Sequence, residues 1–239
     1  MIVGALRTVA ILLWTIGSSA ATLVAAAFGG GAAASRVMRR WGRGFVCIGG
    51  WTVTTEGAEN LPPEGAILVA NHQSLVDIPL FLAAFDREIR FLAKQELGRI
   101  PVFGRSMRAA GNLFVDREDP RDAVRVIREA GAAMRGGAMI VIFPEGTRSA
   151  DGSIGDFKPG AFFIARKTGA PLVPVFLGGG ATALPKGSLI ARPAALVARV
   201  LPPVTPGETA RSLEEMAAEA RQRIVAAREE EARRTPAPL

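Results

Sequence analysis

The 239-residue chain has a single histidine, His72, a single cysteine, Cys47, and no tyrosine. One cysteine closes no internal disulfide, which suits a cytosolic face. One histidine and one cysteine exclude the usual zinc sites, which draw three or four ligands from such residues with carboxylates in support. No G-x-S-x-G stretch offers a serine nucleophile at a strand-to-helix elbow. Acidic residues are in deficit: 22 against 29 Lys and Arg, a net charge of +7. That excess calls for an anionic partner, whether nucleic acid, an acidic lipid surface or a phosphorylated substrate. The lack of tyrosine, and of any aromatic-interleaved basic patch beyond the first 50 residues, counts against nucleic acid. Hydrophobic residues make up 49% of the chain, which is high for a soluble domain.

Much of that hydrophobicity lies at the front. Residues 8–35 carry no charged side chain, and a spanning helix needs about 20 apolar residues. Gly29, Gly30 and Gly31 interrupt the segment and mark a potential break. A cleaved leader opens in the same way, but this apolar run is long and a basic helix follows it directly. Arg36, Arg39, Arg40 and Arg43 recur on one helical face, and Val37, Trp41, Phe45 and Ile48 on another. Such a helix is expected to lie on anionic lipid; the alternative is a solvated face packed on the rest of the protein. The arginines follow the apolar run, which places the remainder of the chain in the cytoplasm. In a bacterium that means the inner membrane with a cytoplasmic domain. The sequence leaves open whether the segment spans or dips in and returns.

From Trp51 onward, short apolar runs alternate with helical stretches. Strands are expected at 51–55, 66–70, 89–93, 112–115, 138–143, 171–176 and 196–201. Asp119 as N-cap, Pro120 at the first position and Gly136 beyond the end delimit a helix over 120–135. Ser212 and Glu215 form a capping box for a charged helix over 213–234, with Leu213, Met216, Ala220 and Ile224 as its apolar stripe. Residues 235–239 read as a frayed tail. The alternation predicts an α/β domain with a largely buried sheet, with no internal repeat and no long linker. Gly178-Gly179-Gly180 has the wrong spacing, and Pro185 the wrong place, for a dinucleotide loop. Pro174 reads as structural, at a strand edge.

The chemistry is expected where a strand ends at Asn71-His72, with Asp77 five residues on. Residues five apart on one ideal helix are about 140° apart and do not meet. A strand end followed by a first helical turn lets them meet. A carboxylate on one ring nitrogen fixes the tautomer and leaves the other nitrogen as a base. Histidines titrate near pH 6.5, suited to taking a hydroxyl proton at neutral pH. A histidine merely satisfied at a strand end is the plainer reading. Phe143-Pro-Glu-Gly-Thr-Arg-Ser149 follows the most apolar strand. Its glycine permits a tight turn, Thr147 offers a hydroxyl and Arg148 a fork for phosphate.

Together these segments resemble the 1-acylglycerol-3-phosphate acyltransferase family (lysophosphatidate acyltransferases and relatives). Its NHxSxxD motif stands as Asn71, His72, Ser74 and Asp77; its second motif as Gly111 to Arg117; its FPEGTRS motif as 143–149; its fourth as Val173-Pro174-Val175. Lys94, Glu96, Leu97, Pro101 and Gly104 match K-x-E-L followed by P-x-x-G, and Phe157 to Gly160 an F-K-x-G segment. The likeness runs in order over about residues 52–205, with no departure at the motif positions.

The resemblance implies a glycerolipid-acyltransferase-like α/β domain, residues 51–239, behind a membrane-anchoring helical segment, residues 1–50. It implies transfer of a fatty acyl group from acyl-CoA or acyl carrier protein to the sn-2 hydroxyl of 1-acylglycerol-3-phosphate, giving phosphatidate. His72 would be the general base and Asp77 its orienting partner. Lys94, Arg117, Glu145, Gly146, Thr147 and Arg148 would bind substrate, with Glu145 holding the arginines rather than touching phosphate, and Asp116 supporting Arg117. No metal or organic prosthetic group is required. Partners would be a lysophospholipid acceptor, the thioester donor and anionic membrane lipids. Two alternatives are the same chemistry on lyso-ornithine lipid or glycerol-3-phosphate, and an inactive lipid-binding relative.

Overall fold

In the computed structural model, residues 2–116, 119–204 and 212–234 are described. Among them, β1 (Thr52–Glu56), β2 (Ile67–Ala70), β3 (Ile89–Lys94), β4 (Leu113–Val115), β5 (Met139–Ile142), β6 (Leu172–Gly178) and β7 (Ala195–Val200) form one sheet. The order is β1-β7-β6-β2-β5-β3-β4, parallel except for the β6–β7 pair. All seven expected strands are present, with ends shifted by one or two residues.

β2, β5 and β6 are buried throughout. Their unbroken apolar sequences are what a strand covered on both faces requires. Period-two alternation then divides the core. Leu68, Ala70, Met139, Val141, Val173 and Val175 face α1 (Ile2–Gly49) and α2 (Asp77–Ala84). Ile67, Val69, Ile140, Ile142 and Leu172 face the opposite layer. That layer is α4 (Pro120–Arg135), α5 (Gly160–Thr168) and α7 (Leu213–Arg234). Pro174 lies inside central β6, not at a sheet edge. It is tolerated there because the β7 ladder ends at Val200 opposite Val175, and the Pro174 carbonyl accepts from Leu201 N.

α1 is one long apolar helix in sequence but two in space. Gly30 (φ 67, ψ −168) breaks it, in a region open to glycine and costly for other residues. The halves fold back on each other: Trp14 Nε1 donates to the Trp41 carbonyl, and Trp41 Nε1 to Thr15 Oγ1, both at 3.0 Å. Residues 31–49 do not present their aromatic face outward as the sequence pattern implied. Phe45 is buried, and Trp41 and Ile48 pack on the core. The outward apolar surface belongs to residues 2–29, where Leu13, Ile16 and Phe28 are exposed. Arg39 and Arg43 pair with Asp86 at 3.1 and 3.5 Å, while Arg36 and Arg40 are exposed.

α3 (Phe103–Ala109) packs beside α1. α4 has the expected limits, with Asp119 Oδ1 accepting from Arg121 N at 2.9 Å. The capping box also forms: Ser212 N donates to Glu215, and Glu215 N to Ser212 Oγ. Met216, Ala220 and Ile224 are buried against the sheet. The expected frayed tail, 235–239, lies outside the described residues.

A buried cation locks α7 down. Arg199 of β7 pairs with Glu56 (2.6 Å), Glu231 (2.8 Å) and Glu230 (3.4 Å). Burial raises the Glu56 carboxyl, but the Arg199 and Arg234 guanidiniums outweigh it and bring it below its ordinary 4.5. A depressed carboxylate contributes stability above its unfolded pKa and loses it as pH falls through the folded value. We predict that Glu56→Gln melts lower than wild type at pH 7 and that the gap closes as pH falls below about 4.5. Arg199→Met should cost about 1.5–3 kcal/mol, since its charged hydrogen bonds go while the freed carboxylates can reach water. Thermal melts across pH check both.

Candidate functional site

The parallel strands deliver the ends of β2, β3, β4, β5 and β6 to one edge, and the candidate site lies there. β2 stops at Ala70, and Asn71-His72-Gln73-Ser74 turns into α2, whose first residue is Asp77. His72 Nδ1 and Asp77 Oδ2 are 2.8 Å apart. The same oxygen accepts from Gln73 N (2.7 Å) and Ser74 N (2.9 Å). Asp77 is fully buried, whereas the His72 side chain keeps 16% of its surface open. The carboxylate accepts a hydrogen bond from Nδ1–H, so Nε2 is left with its lone pair. Among the described residues no group hydrogen-bonds to Nε2.

The loop after β5 closes on His72 from three directions. The Phe143 ring stacks on the imidazole, with centroids 4.0 Å apart and planes at 16°. Glu145 Oε1 accepts from His72 N at 2.8 Å, and Ser149 N donates to the His72 carbonyl at 2.7 Å. Gly146 (φ 76) supplies the left-handed step that turns the loop back. Glu145 Oε2 accepts from Gly155 N. Both oxygens of Glu145 therefore hold backbone, where an ion pair with arginine was expected; among the described residues it makes none. Ser153, through its side chain and backbone N–H, and then Ser149 Oγ donate to Asp151 and hold that carboxyl well below the usual range.

Thr147 is exposed and Arg148 half-buried on this loop. The Arg148 carbonyl accepts from Lys186 Nζ at 2.7 Å, a tether that sequence reasoning missed. Lys94 ends β3, in register with Val115 of β4, and is exposed. Arg117 lies two residues beyond Val115 and outside the described residues. Asn71 and Ser74, named by the motif without a role, are clamps. Asn71 exchanges two hydrogen bonds with the Leu177 backbone, and Ser74 Oγ donates to the Leu184 carbonyl.

An apolar cavity of about 190 Å³ runs between the α1 hairpin and the layer below. Ile11, Trp41 and Phe45 line one side, Leu75, Ile78 and Met107 the other. Leu75 and Ile78 flank Asp77 in sequence, so the cavity abuts the His72 turn.

Because His72 is the sole histidine, its ring is observable without assignment ambiguity. At neutral pH, nitrogen-15 NMR should show the proton on Nδ1. Asp77→Ala should release the ring to the Nε2–H tautomer that free imidazole side chains favour.

A family model described as Acyltransferase matches residues 52–178. A chloroplastic 1-acyl-sn-glycerol-3-phosphate acyltransferase of Arabidopsis thaliana is 39% identical over 140 residues, covering 58% of this chain and 39% of that protein. One from Borreliella burgdorferi is 36% identical over 131 residues, covering 54% and 52%. This chain thus spans about two fifths to one half of the curated relatives it matches. The crystal structure of the 1-acyl-sn-glycerophosphate acyltransferase PlsC from Thermotoga maritima superposes with a TM-score of 0.79 at 29% identity, over 96% of both chains. Matched across the segment that carries the His72 turn and the loop closed upon it, the chain belongs to the acyltransferase family.

Proposed function

We propose that this protein transfers a fatty acyl group from a thioester to the sn-2 hydroxyl of 1-acylglycerol-3-phosphate. One observation carries the reading: an imidazole held at Nδ1 by a buried carboxylate, open at Nε2, between an apolar cavity and a loop bearing Arg148. His72 Nε2 takes the proton of the acceptor hydroxyl as its oxygen attacks the thioester carbonyl. The new C–O bond forms, the C–S bond breaks, and the electron pair leaves on sulfur. The imidazolium faces Asp77 until its proton passes to the thiolate or to water. A thiolate needs little acid help, since thiols titrate near 8.5. Phosphatidate and a free thiol are the products. The donor is acyl-CoA or acyl carrier protein.

Arg148, Thr147, the Gly146 turn, Lys94 and Arg117 receive the acceptor phosphate, and Glu145 frames that pocket while holding His72 N. The apolar cavity takes an acyl chain. Residues 1–50 form the anchor and residues 51–239 the catalytic domain. The hairpin at Gly30 supports a segment that enters one leaflet and returns, with Arg36 and Arg40 near anionic head groups on the cytoplasmic side.

Detergent-solubilised protein offered lysophosphatidate and acyl-CoA should yield phosphatidate by mass spectrometry. His72→Ala should lower turnover by about 10²- to 10⁴-fold; full activity in that variant would sink the mechanism. Arg148→Ala should raise KM for lysophosphatidate about 10-fold or more, the loss of one charged hydrogen bond. Turnover on lyso-ornithine lipid alone would overturn the substrate and keep the chemistry.

A further inference from the structure

The carboxylate beside His72 is lopsided. Asp77 Oδ2 accepts three hydrogen bonds, whereas Oδ1 is buried and has no partner. An unpaired buried oxygen costs free energy, and a native structure that keeps one calls for an explanation. Gly180 packs close to this oxygen from a sequence-distant part of the chain. A Cβ built on Gly180 would lie 2.7 Å from Oδ1 and 3.2 Å from the Ser74 Cβ.

Gly178-Gly179-Gly180 has no other account at its third position. Gly179 (φ 80) is required by its backbone, and a Cβ there would meet the Ala195 carbonyl at 1.9 Å. Gly180 opens a short helix, α6 (Gly180–Ala183), and its φ is outside the left-handed range. Its backbone would accept any L residue. The space for a side chain is taken chiefly by the Asp77 carboxylate, with the Ser74 Cβ crowding it from beside.

We propose that Gly180 is a positioning residue for His72: it packs bare backbone against Asp77 Oδ1, excluding side chain and water, so that the carboxylate directs its hydrogen bonding through Oδ2. A solvated carboxylate shares donors between its two oxygens and can rotate between them. With Oδ1 walled off, a partial rotation about Cβ–Cγ would weaken all three hydrogen bonds and gain none, while a half turn merely exchanges two equivalent oxygens. The orientation that grips Nδ1 is then the only satisfied one. The clamps on the same strand end act together with it, Leu177 holding Asn71 and Gln73 while Leu184 holds Ser74.

The proposal rests on His72 being the base, but its first readout does not. Nitrogen-15 NMR of the single histidine in wild type and Gly180→Ala reports the tautomer directly. Gly180→Ala should fold, lose the uniform Nδ1–H tautomer, and show kcat lower by on the order of 10²-fold, as for a displacement of about 1 Å. KM for lysophosphatidate and acyl-CoA should stay at the wild-type value, which a general loss of structure would not spare. A folded variant with the wild-type tautomer, or with wild-type kcat, overturns the proposal. Should Gly180→Ala fail to fold, wild type alone decides. Its Nδ1 proton should exchange slowly with deuterated solvent, and exchange as fast as from an exposed imidazole would overturn the dry wall. A tautomer change in a protein whose wild type transfers no acyl group would uphold Gly180 and remove the acyl-transfer reading instead.

Discussion

The site depends on the hydrogen-bonded neighbours of β2. β2 lies between β5 and β6, and all three run parallel. Its end carries His72. The end of β5 delivers Phe143, Glu145 and Ser149 to one side of it, and the end of β6 delivers Leu177 and Gly180 to the other. Backbone pairing sets these positions before any side chain is considered. The loop after β5 grips the His72 amide and carbonyl, so the residue is held by its main chain as well as by Asp77. Preorganisation of this kind is what proton transfer in a defined geometry requires.

The two faces of the sheet bear different loads. One is covered by α4, α5 and α7, which leave an apolar cavity of about 250 Å³ lined by Leu92, Ile127, Phe143 and Phe163, and the Arg199 cluster ties the last helix to β1 and β7. The other is covered by the α1 hairpin and α2, which leave an apolar cavity between them. The hairpin puts hydrophobic surface both inward, against the domain, and outward, along residues 2–29. An outward apolar surface of that extent fits a lipid environment. A single break at Gly30 brings the cavity, the outward apolar surface and the His72 turn onto one side of the protein.

Charge is sparse at the His72 turn and dense around it. The one carboxylate in contact with the imidazole is fully buried and saturated on one oxygen. Lys94, Arg148 and Lys186 stand farther out, half-buried or exposed at the strand ends and loops. The His72–Asp77 pair and these cations thereby stand in separate surroundings, the first largely buried and the second facing solvent.

The sequence by itself determined the elements and the central pair. Strand periodicity, the Asp119 cap, the Ser212–Glu215 box and the His72–Asp77 spacing are local, set by residues within a few positions of one another. Only the tertiary structure decided what depends on strand order. Pro174 read as an edge residue because its place opposite Leu201, just beyond the end of antiparallel β7, is set by strand order. Glu145 read as a partner for arginine; among the described residues it holds backbone, including that of His72, 73 positions away and brought near only by the β2–β5 pairing. The aromatic face of residues 37–48 read as lipid-facing, and packs inward because the turn at Gly30 offers it the domain core. Gly178-Gly179-Gly180 could be read only as failing the spacing of a dinucleotide loop, because nothing local reveals that a carboxylate fills the space where a Gly180 side chain would be.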